Sequence, residues 1–187
     1  RIGSSAASDV YKRQILDYPD YCGVAGYPIS HSLTPRLFEI VGGVLGSGIV
    51  KTVFLEAGDA DEFFKRAEKL EGEIWISCTS PLKNSVWKVL GSEDEKGLQA
   101  INQLVRKDGE WSASNSDGGG FILACRHIGV EPRGSILRIR GGGSTARSIA
   151  YSWSKEGGQI IPVRGRRALP GGPWDVSFVD DSLEAHL

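Results

Sequence analysis

The sequence holds 187 residues, 40% hydrophobic and 24% charged, with a formal net charge of -1; this is ordinary for a globular chain and long enough for one large or two small domains. So balanced a charge gives no electrostatic pull toward nucleic acid or an anionic membrane, and no apolar run approaches the roughly 18 residues that cross a bilayer. The three cysteines, Cys22, Cys78 and Cys125, have neither CxxC nor metal-ligand spacing, which fits reduced thiols in a cytoplasmic protein without a metal centre.

The first fourteen residues, RIGSSAASDVYKRQ, are polar and aperiodic, and no methionine occurs in the chain. They resemble a translated adapter, so residues 1–14 are set aside as a non-native leader. Tyr21 to Ala25 then reads as a short strand. A polar loop follows, and Pro35 opens a helix with Leu37, Phe38, Val41, Val44 and Leu45 on one apolar face. Ile49 to Leu55 is β-branched and reads as a strand. Asp59 or Asp61 can cap a helix that buries Phe63, Phe64, Ala67 and Leu70. Ile74 to Cys78 is a further strand, and Asn84 to Leu90 a short helix. Ile101 to Val105 and Trp111 to Ala113 flank Lys107-Asp108-Gly109-Glu110, a hairpin signal. Asp117 to His127 reads as a helix.

Gly129, Pro132 and Gly134 mark a boundary. Beyond it Ile136 to Ile139 reads as a strand, Gly141-Gly142-Gly143 as a turn, Ser144 to Lys155 as a helix and Gln159 to Val163 as a strand. This βαβ unit is the opening of a dinucleotide-binding domain. The expected fold is therefore α/β. Residues 15–128 form a substrate-binding domain, and 129–187 an incomplete Rossmann-like domain.

Four segments carry candidate chemistry, and each also has a plain structural reading. The glycine turn can present free N–H groups and a helix dipole to a pyrophosphate, or can simply be a flexible turn. Arg164, Arg166 and Arg167 follow the second strand, where an acid would favour NAD; arginines suit a 2′-phosphate, hence NADP, or a solvated loop. Ser30-His31-Ser32-Leu33-Thr34 can offer hydroxyls to a polyhydroxylated ligand, or Thr34 can cap a helix. Lys83, in a proline loop after a buried strand, can be desolvated enough for proton transfer or can lie on the surface. Asp117 can cap its helix, a role compatible with catalysis.

Taken in order, GYPISHSLTP, SCTSPLK, AINQ, SASNSDGGGF and GGGSTAR resemble the shikimate dehydrogenase motifs GxPxxHSxSP, NVTxPxK, AVNT, GxNTDxxGF and GxGGAxR. The resemblance runs from about Cys22 to Arg167. It implies an NADP-dependent oxidoreductase that interconverts 3-dehydroshikimate and shikimate on the way to chorismate. In that reading Lys83 and Asp117 are catalytic. Ser32, Thr34, Thr79, Asn102 and Asp117 bind substrate. Gly141, Gly142, Gly143, Ser144, Thr145, Arg164, Arg166 and Arg167 bind the cofactor. A cleft between the two domains would bring substrate and nicotinamide together. No metal, nucleic acid or membrane partner is implied, and oligomeric state is left open. The alternatives are a quinate-type relative and a catalytically silent ligand-binding fragment. Ser77, Gln103, Ser116 and Ser144 depart from the motifs. Trp174 to Val179 resembles a later strand of the family, but nothing after Arg167 supplies the remaining dinucleotide half or the C-terminal helix.

Overall fold

A computed structural model of the chain describes residues 18–46, 50–91 and 97–182. The leader at 1–14 lies outside them. In chain order the elements are β1 (Tyr21–Gly26), α1 (Thr34–Leu45), β2 (Lys51–Glu56), α2 (Ala60–Ala67), β3 (Ile74–Cys78), α3 (Leu82–Leu90), β4 (Gln103–Lys107), β5 (Glu110–Ser114), α4 (Asp117–His127), β6 (Ile136–Arg140), α5 (Ser144–Lys155) and β7 (Gln159–Val163). The fold is α/β, as the alternation of strand and helix patterns predicts.

Two compact units emerge. One holds the described residues up to Thr79 together with Leu104–Ser112; the other holds Ser80–Gln103 together with the described residues from Ala113 onward. These limits do not follow the glycine and proline segment at 129–134. Helix α4 groups with the later residues because its first turn lies against α5.

In the first unit, β1 is an interior strand of the order β2-β1-β3-β4-β5, parallel to β2 on one side and to β3 on the other. A strand flanked in this way is covered on both faces, and Val24 and Ala25 are accordingly almost fully buried. Burial of Cys22 on the same strand pushes its thiol up to about 11, which leaves it protonated and unreactive. Gly23 is required by close approach: an added Cβ would sit 2.1 Å from the Val53 carbonyl oxygen. Asp59 caps α2 by accepting from the Glu62 N–H at 2.9 Å. Phe63, Phe64 and Trp111 pack edge to face at centroid distances of 5.0 to 5.7 Å. Arg106 lies over Trp111 and donates to the carbonyls of Ala67, Leu70 and Gly72 at the end of α2. Two residues, Asp108 and Gly109, join β4 to β5, both at positive φ, as a tight hairpin turn demands.

Helix α1 departs from expectation. Its apolar side chains Leu37, Val41, Val44 and Leu45 are exposed, and Pro35 is its buried residue. Periodicity identifies which face of a helix is apolar; it does not supply a neighbour to cover that face.

The second unit is built on the parallel pair β6 and β7 with α5 between them in sequence. Ile122, Cys125, Leu137, Ile139, Ala150, Trp153, Ile160 and Trp174 form its core. Both tryptophans of this core have partners: Trp153 donates to the Gln159 carbonyl at 2.9 Å and Trp174 to the Pro170 carbonyl at 3.0 Å. The Trp174 to Val179 segment is not a further strand. It forms a short 3₁₀ turn at Asp175–Ser177, with a single parallel bridge from Phe178 to Ile160. Its tryptophan fills the core from a loop, so the apolar pattern has a source other than strand pairing.

Helix α4 begins with Asp117 followed by three consecutive glycines, and only the first glycine is sterically required. A Cβ on Gly118 would lie 2.2 Å from the Ser148 carbonyl oxygen and 2.3 Å from Ser152 Oγ, whereas Gly119 and Gly120 face nothing within 4 Å. Gly118→Ala should therefore cost about 1–3 kcal/mol through overpacking of α4 on α5. Gly119→Ala and Gly120→Ala should each stabilise by up to about 1 kcal/mol through helix propensity. Urea denaturation of the three variants checks this; equal effects at all three positions would refute the close approach of the helices.

Candidate active site

The second unit gathers Lys83, Asn102 and Asp117 into one polar cluster. Strand β3 ends at Cys78, and α3 starts with buried Leu82, which anchors the helix and turns the next residue, Lys83, toward the first residue of α4. Lys83 Nζ donates to Asp117 Oδ2, with the two side chains only 16% and 17% exposed. Asn102, which is buried, donates from Nδ2 to Asp117 Oδ1 at 2.6 Å. Its Oδ1 accepts from the Ser116 N–H at 2.8 Å, so the amide is used at both ends. Asn102 is itself held by its own N–H donating to the Ser114 carbonyl at 3.1 Å, and its neighbour Ile101 donates to the Lys83 carbonyl at 2.8 Å.

Asp117 is the first residue of α4, where a carboxylate is favoured by the helix dipole. Its expected role as the cap is not what is found: Ser116 occupies that position, and no side chain caps the helix. The turn is fixed by Asn115. Asn115 Oδ1 accepts from the Asp117 N–H at 3.1 Å, and Nδ2 donates to the Ala100 carbonyl at 2.9 Å. The hydroxyl of buried Ser148, on α5, donates to the same Asn115 oxygen at 2.6 Å and accepts from the Gly118 N–H at 2.8 Å. Thr145, in the first turn of α5, donates to Asp117 Oδ2 at 3.2 Å. Residue types and motif order point to Lys83, Asn102 and Asp117. Asn115 falls on the asparagine of the GxNTDxxGF motif, whereas the supporting role of Ser148 has no signal in residue spacing, because it depends on how α4 meets α5.

The glycine turn leads into the N-terminus of α5. Gly141 has φ +96°, and Gly143 is extended at the cap position with no side chain on the free N–H groups behind it. A Cβ at Gly142 would lie 1.8 Å from the Ala168 carbonyl oxygen, whereas one at Gly143 would meet nothing within 4 Å. The loop bearing the exposed residues Arg164, Arg166 and Arg167 therefore runs beside the turn. Ser144 Oγ accepts from Arg147 Nη2 at 3.4 Å. Arg147 has a buried Nε without a partner; burial, with Arg167 nearby, lowers its affinity for a proton. The result is a cationic, N–H-rich corner suited to an anion.

Ser32, Thr34 and Thr79 belong to the first unit. Ser32 Oγ donates to Thr34 Oγ1 at 3.2 Å and accepts from the Thr34 N–H at 3.3 Å. Thr34 is thus the first helical residue rather than the cap. The Thr79 N–H donates to the Ala25 carbonyl at 2.8 Å. A surface cavity lined by Ser30, Phe54, Glu56 and Arg66 contains none of the expected site residues. Among the described residues no group of acidic, histidine and cysteine side chains could hold a metal, and no helix is long and apolar enough to cross a membrane.

No family model matches the chain. It is 28% identical over 155 residues to the NADP-dependent shikimate dehydrogenase of Alkaliphilus metalliredigens, covering 82% of this chain and 54% of that one. It is 32% identical over 177 residues to the namesake enzyme of Rubrobacter xylanophilus, covering 87% and 62%. The chain thus spans just over half the length of these curated relatives. Among solved structures, the Thermus thermophilus shikimate 5-dehydrogenase in complex with NADP(H) and shikimate matches with a TM-score of 0.61 at 24% identity, over 75% of this chain and 54% of that one. A 5-ketofructose reductase of Gluconobacter matches with a TM-score of 0.60 at 23% identity, over 75% and 51%. By sequence and by fold, the chain is a partial-length match to the shikimate dehydrogenases.

Proposed function

We propose that the chain carries the substrate-binding part and the opening of the dinucleotide-binding part of a cytoplasmic NADP-dependent shikimate dehydrogenase. It would interconvert 3-dehydroshikimate and shikimate in aromatic amino acid biosynthesis. The observation that carries this reading is the largely buried Lys83–Asp117 pair, its carboxylate held by Asn102, at the positions that the motifs mark. Substrate recognition is assigned to residues 15–128 and dinucleotide binding to 129–187.

Reduction of a ring ketone leaves an alkoxide that needs a proton. Lys83 Nζ supplies it and is reprotonated from solvent; Asp117 holds the ammonium in place and accepts from a ring hydroxyl. Ser32, Thr34, Thr79 and Asn102 are assigned to the remaining substrate hydroxyls and carboxylate, which would otherwise be buried unpaired at about 1–3 kcal/mol each. NADPH, when bound, supplies the hydride. The residues present fit that cofactor: the α5 N-terminus has free N–H groups, Gly143 leaves open space and the Arg147 Nε lacks a partner. Gly141, Gly142, Gly143, Ser144 and Thr145 would hold the phosphates, and Arg164, Arg166 and Arg167 the 2′-phosphate.

Lys83→Ala should lower the rate of NADP-dependent shikimate oxidation by about 10²–10⁴ while changing the KM for shikimate little, because the proton is transferred in the transition state. Absorbance at the nicotinamide band measures it. Undiminished turnover in the variant would overturn the assignment, and shikimate binding without turnover in the unmodified chain would favour a silent ligand-binding fragment.

Replacing Arg164 and Arg166 by alanine should weaken NADP binding by about 1.5–3 kcal/mol for each arginine–phosphate bond removed, with NAD affinity nearly unchanged. Calorimetric titration with both cofactors distinguishes the cases; an equal weakening for NAD would remove the arginines from 2′-phosphate recognition.

A further inference from the structure

Among the described residues, three side chains donate to the Asp117 carboxylate, from three different segments. Lys83 comes from α3, Asn102 from the residue before β4, and Thr145 from the first turn of α5. Thr145 is the donor that belongs to the helix of the glycine turn. In the motif GxGGAxR its position is an alanine, which has no hydroxyl, so the bond is a feature of this sequence and not of the motif. Thr145 is otherwise exposed and is the second residue of α5. Its backbone N–H is one of the free donors at the helix end, so one residue faces an anion with its main chain and the carboxylate with its side chain.

We propose that Thr145 is a positioning residue for Asp117: its hydroxyl ties the glycine-turn helix to the carboxylate that holds Lys83, so that seating a phosphate-bearing cofactor on the turn and orienting the Lys83–Asp117 pair are coupled. The tie acts on one particular atom. Oδ1 is committed to Asn102, and Oδ2 is shared by Lys83 and Thr145. With the hydroxyl removed, Oδ2 keeps only the lysine, and a shift of the turn is no longer transmitted to the carboxylate by a direct bond. Ser148 and Asn115 continue to place the Asp117 backbone, so removal of the hydroxyl acts on the side chain rather than on the fold. The cofactor side of this proposal rests on the function proposed above.

The test uses the whole chain with Thr145→Val, Thr145→Ser, Asp117→Asn and the double variant Thr145→Val with Asp117→Asn. A double-mutant cycle on urea unfolding needs no ligand. The two changes of the double variant should be non-additive by about 3–10-fold in the unfolding constant, with Thr145→Ser close to the parent. Additive effects would show that the bond contributes nothing and overturn the proposal. Fluorescence titration with NADP+ then reads the coupling: Asp117→Asn should change affinity several-fold with Thr145 present and hardly at all in the Thr145→Val background. An Asp117→Asn effect of equal size in both backgrounds would also overturn it. In shikimate oxidation, Thr145→Val should lower kcat by about 5-fold with KM unchanged, and Thr145→Ser should retain the parent rate. An effect confined to KM, or an equal fall in the serine variant, would reject the positioning role. A chain that shows unfolding and NADP+ coupling but no shikimate turnover would leave the proposal standing and reject the proposed reaction. Absence of NADP+ binding would overturn the link to the cofactor.

Discussion

The arrangement of the second unit depends on satisfying one carboxylate. A largely buried charge is costly unless it is paired and hydrogen-bonded, and Asp117 meets that requirement by drawing on α3, the segment before β4 and α5 together. None of these partners is near Asp117 in sequence. The ion pair is therefore weak ground for a claim of high stability; a well-packed apolar substitute could serve as well or better. Its value lies in geometry, because it fixes a lysine, an amide and a helix terminus about one point.

That geometry in turn depends on how closely α4 approaches α5. Gly118 brings the helices together at a point where any side chain would meet the Ser148 carbonyl, and the same Ser148 hydroxyl then bonds the Gly118 N–H and Asn115 Oδ1. A hydroxyl that both donates and accepts where two helices meet leaves neither partner unsatisfied. The turn carrying Asp117 is thus fixed from below by α5, while Lys83 and Asn102 fix its side chain from the other side. Gln99 extends the pattern. It sits at φ +48°, its carbonyl accepts from Asn84 at 2.9 Å and from Arg147 at 3.4 Å, and it joins the lysine's helix to the glycine-turn helix.

The parts of the fold readable from sequence are those where a local signal and the tertiary outcome agree. Strand β3, helices α4 and α5 and strand β7 fall at the residues where periodicity and turn chemistry put them. The β4–β5 hairpin is shifted by two residues at its start, because Ile101 and Asn102 are apolar or buried for the sake of the site and not of the sheet. The exposed face of α1 and the loop placement of Trp174 were beyond reach for one reason: hydrophobicity says that a residue wants cover, not which element provides it. In the site, Lys83, Asn102 and Asp117 stood out because motif order marked them. Asn115 and Arg147 also fall on motif letters, whereas Ser148 and Gln99 act through bonds to partners 15 to 48 positions away, which a linear pattern does not encode.

The match in fold to a 5-ketofructose reductase separates two questions that a family resemblance tends to merge. Protonating an alkoxide requires a positioned acid, and a lysine held by a carboxylate provides one whatever ring or chain bears the ketone. Choosing the substrate requires hydroxyls and amides matched to its other polar groups, since a site that buries such donors rejects a ligand lacking the partners. On the function proposed above, the first task is assigned to residues of the second unit, Lys83 and Asp117. On the same proposal the second is assigned largely to Ser32, Thr34 and Thr79 of the first unit, where Ser32 and Thr34 are hydrogen-bonded to one another. A ligand seated on these hydroxyls would have to replace their mutual bond at 3.2 Å without leaving either unpaired. The fold alone decides neither task.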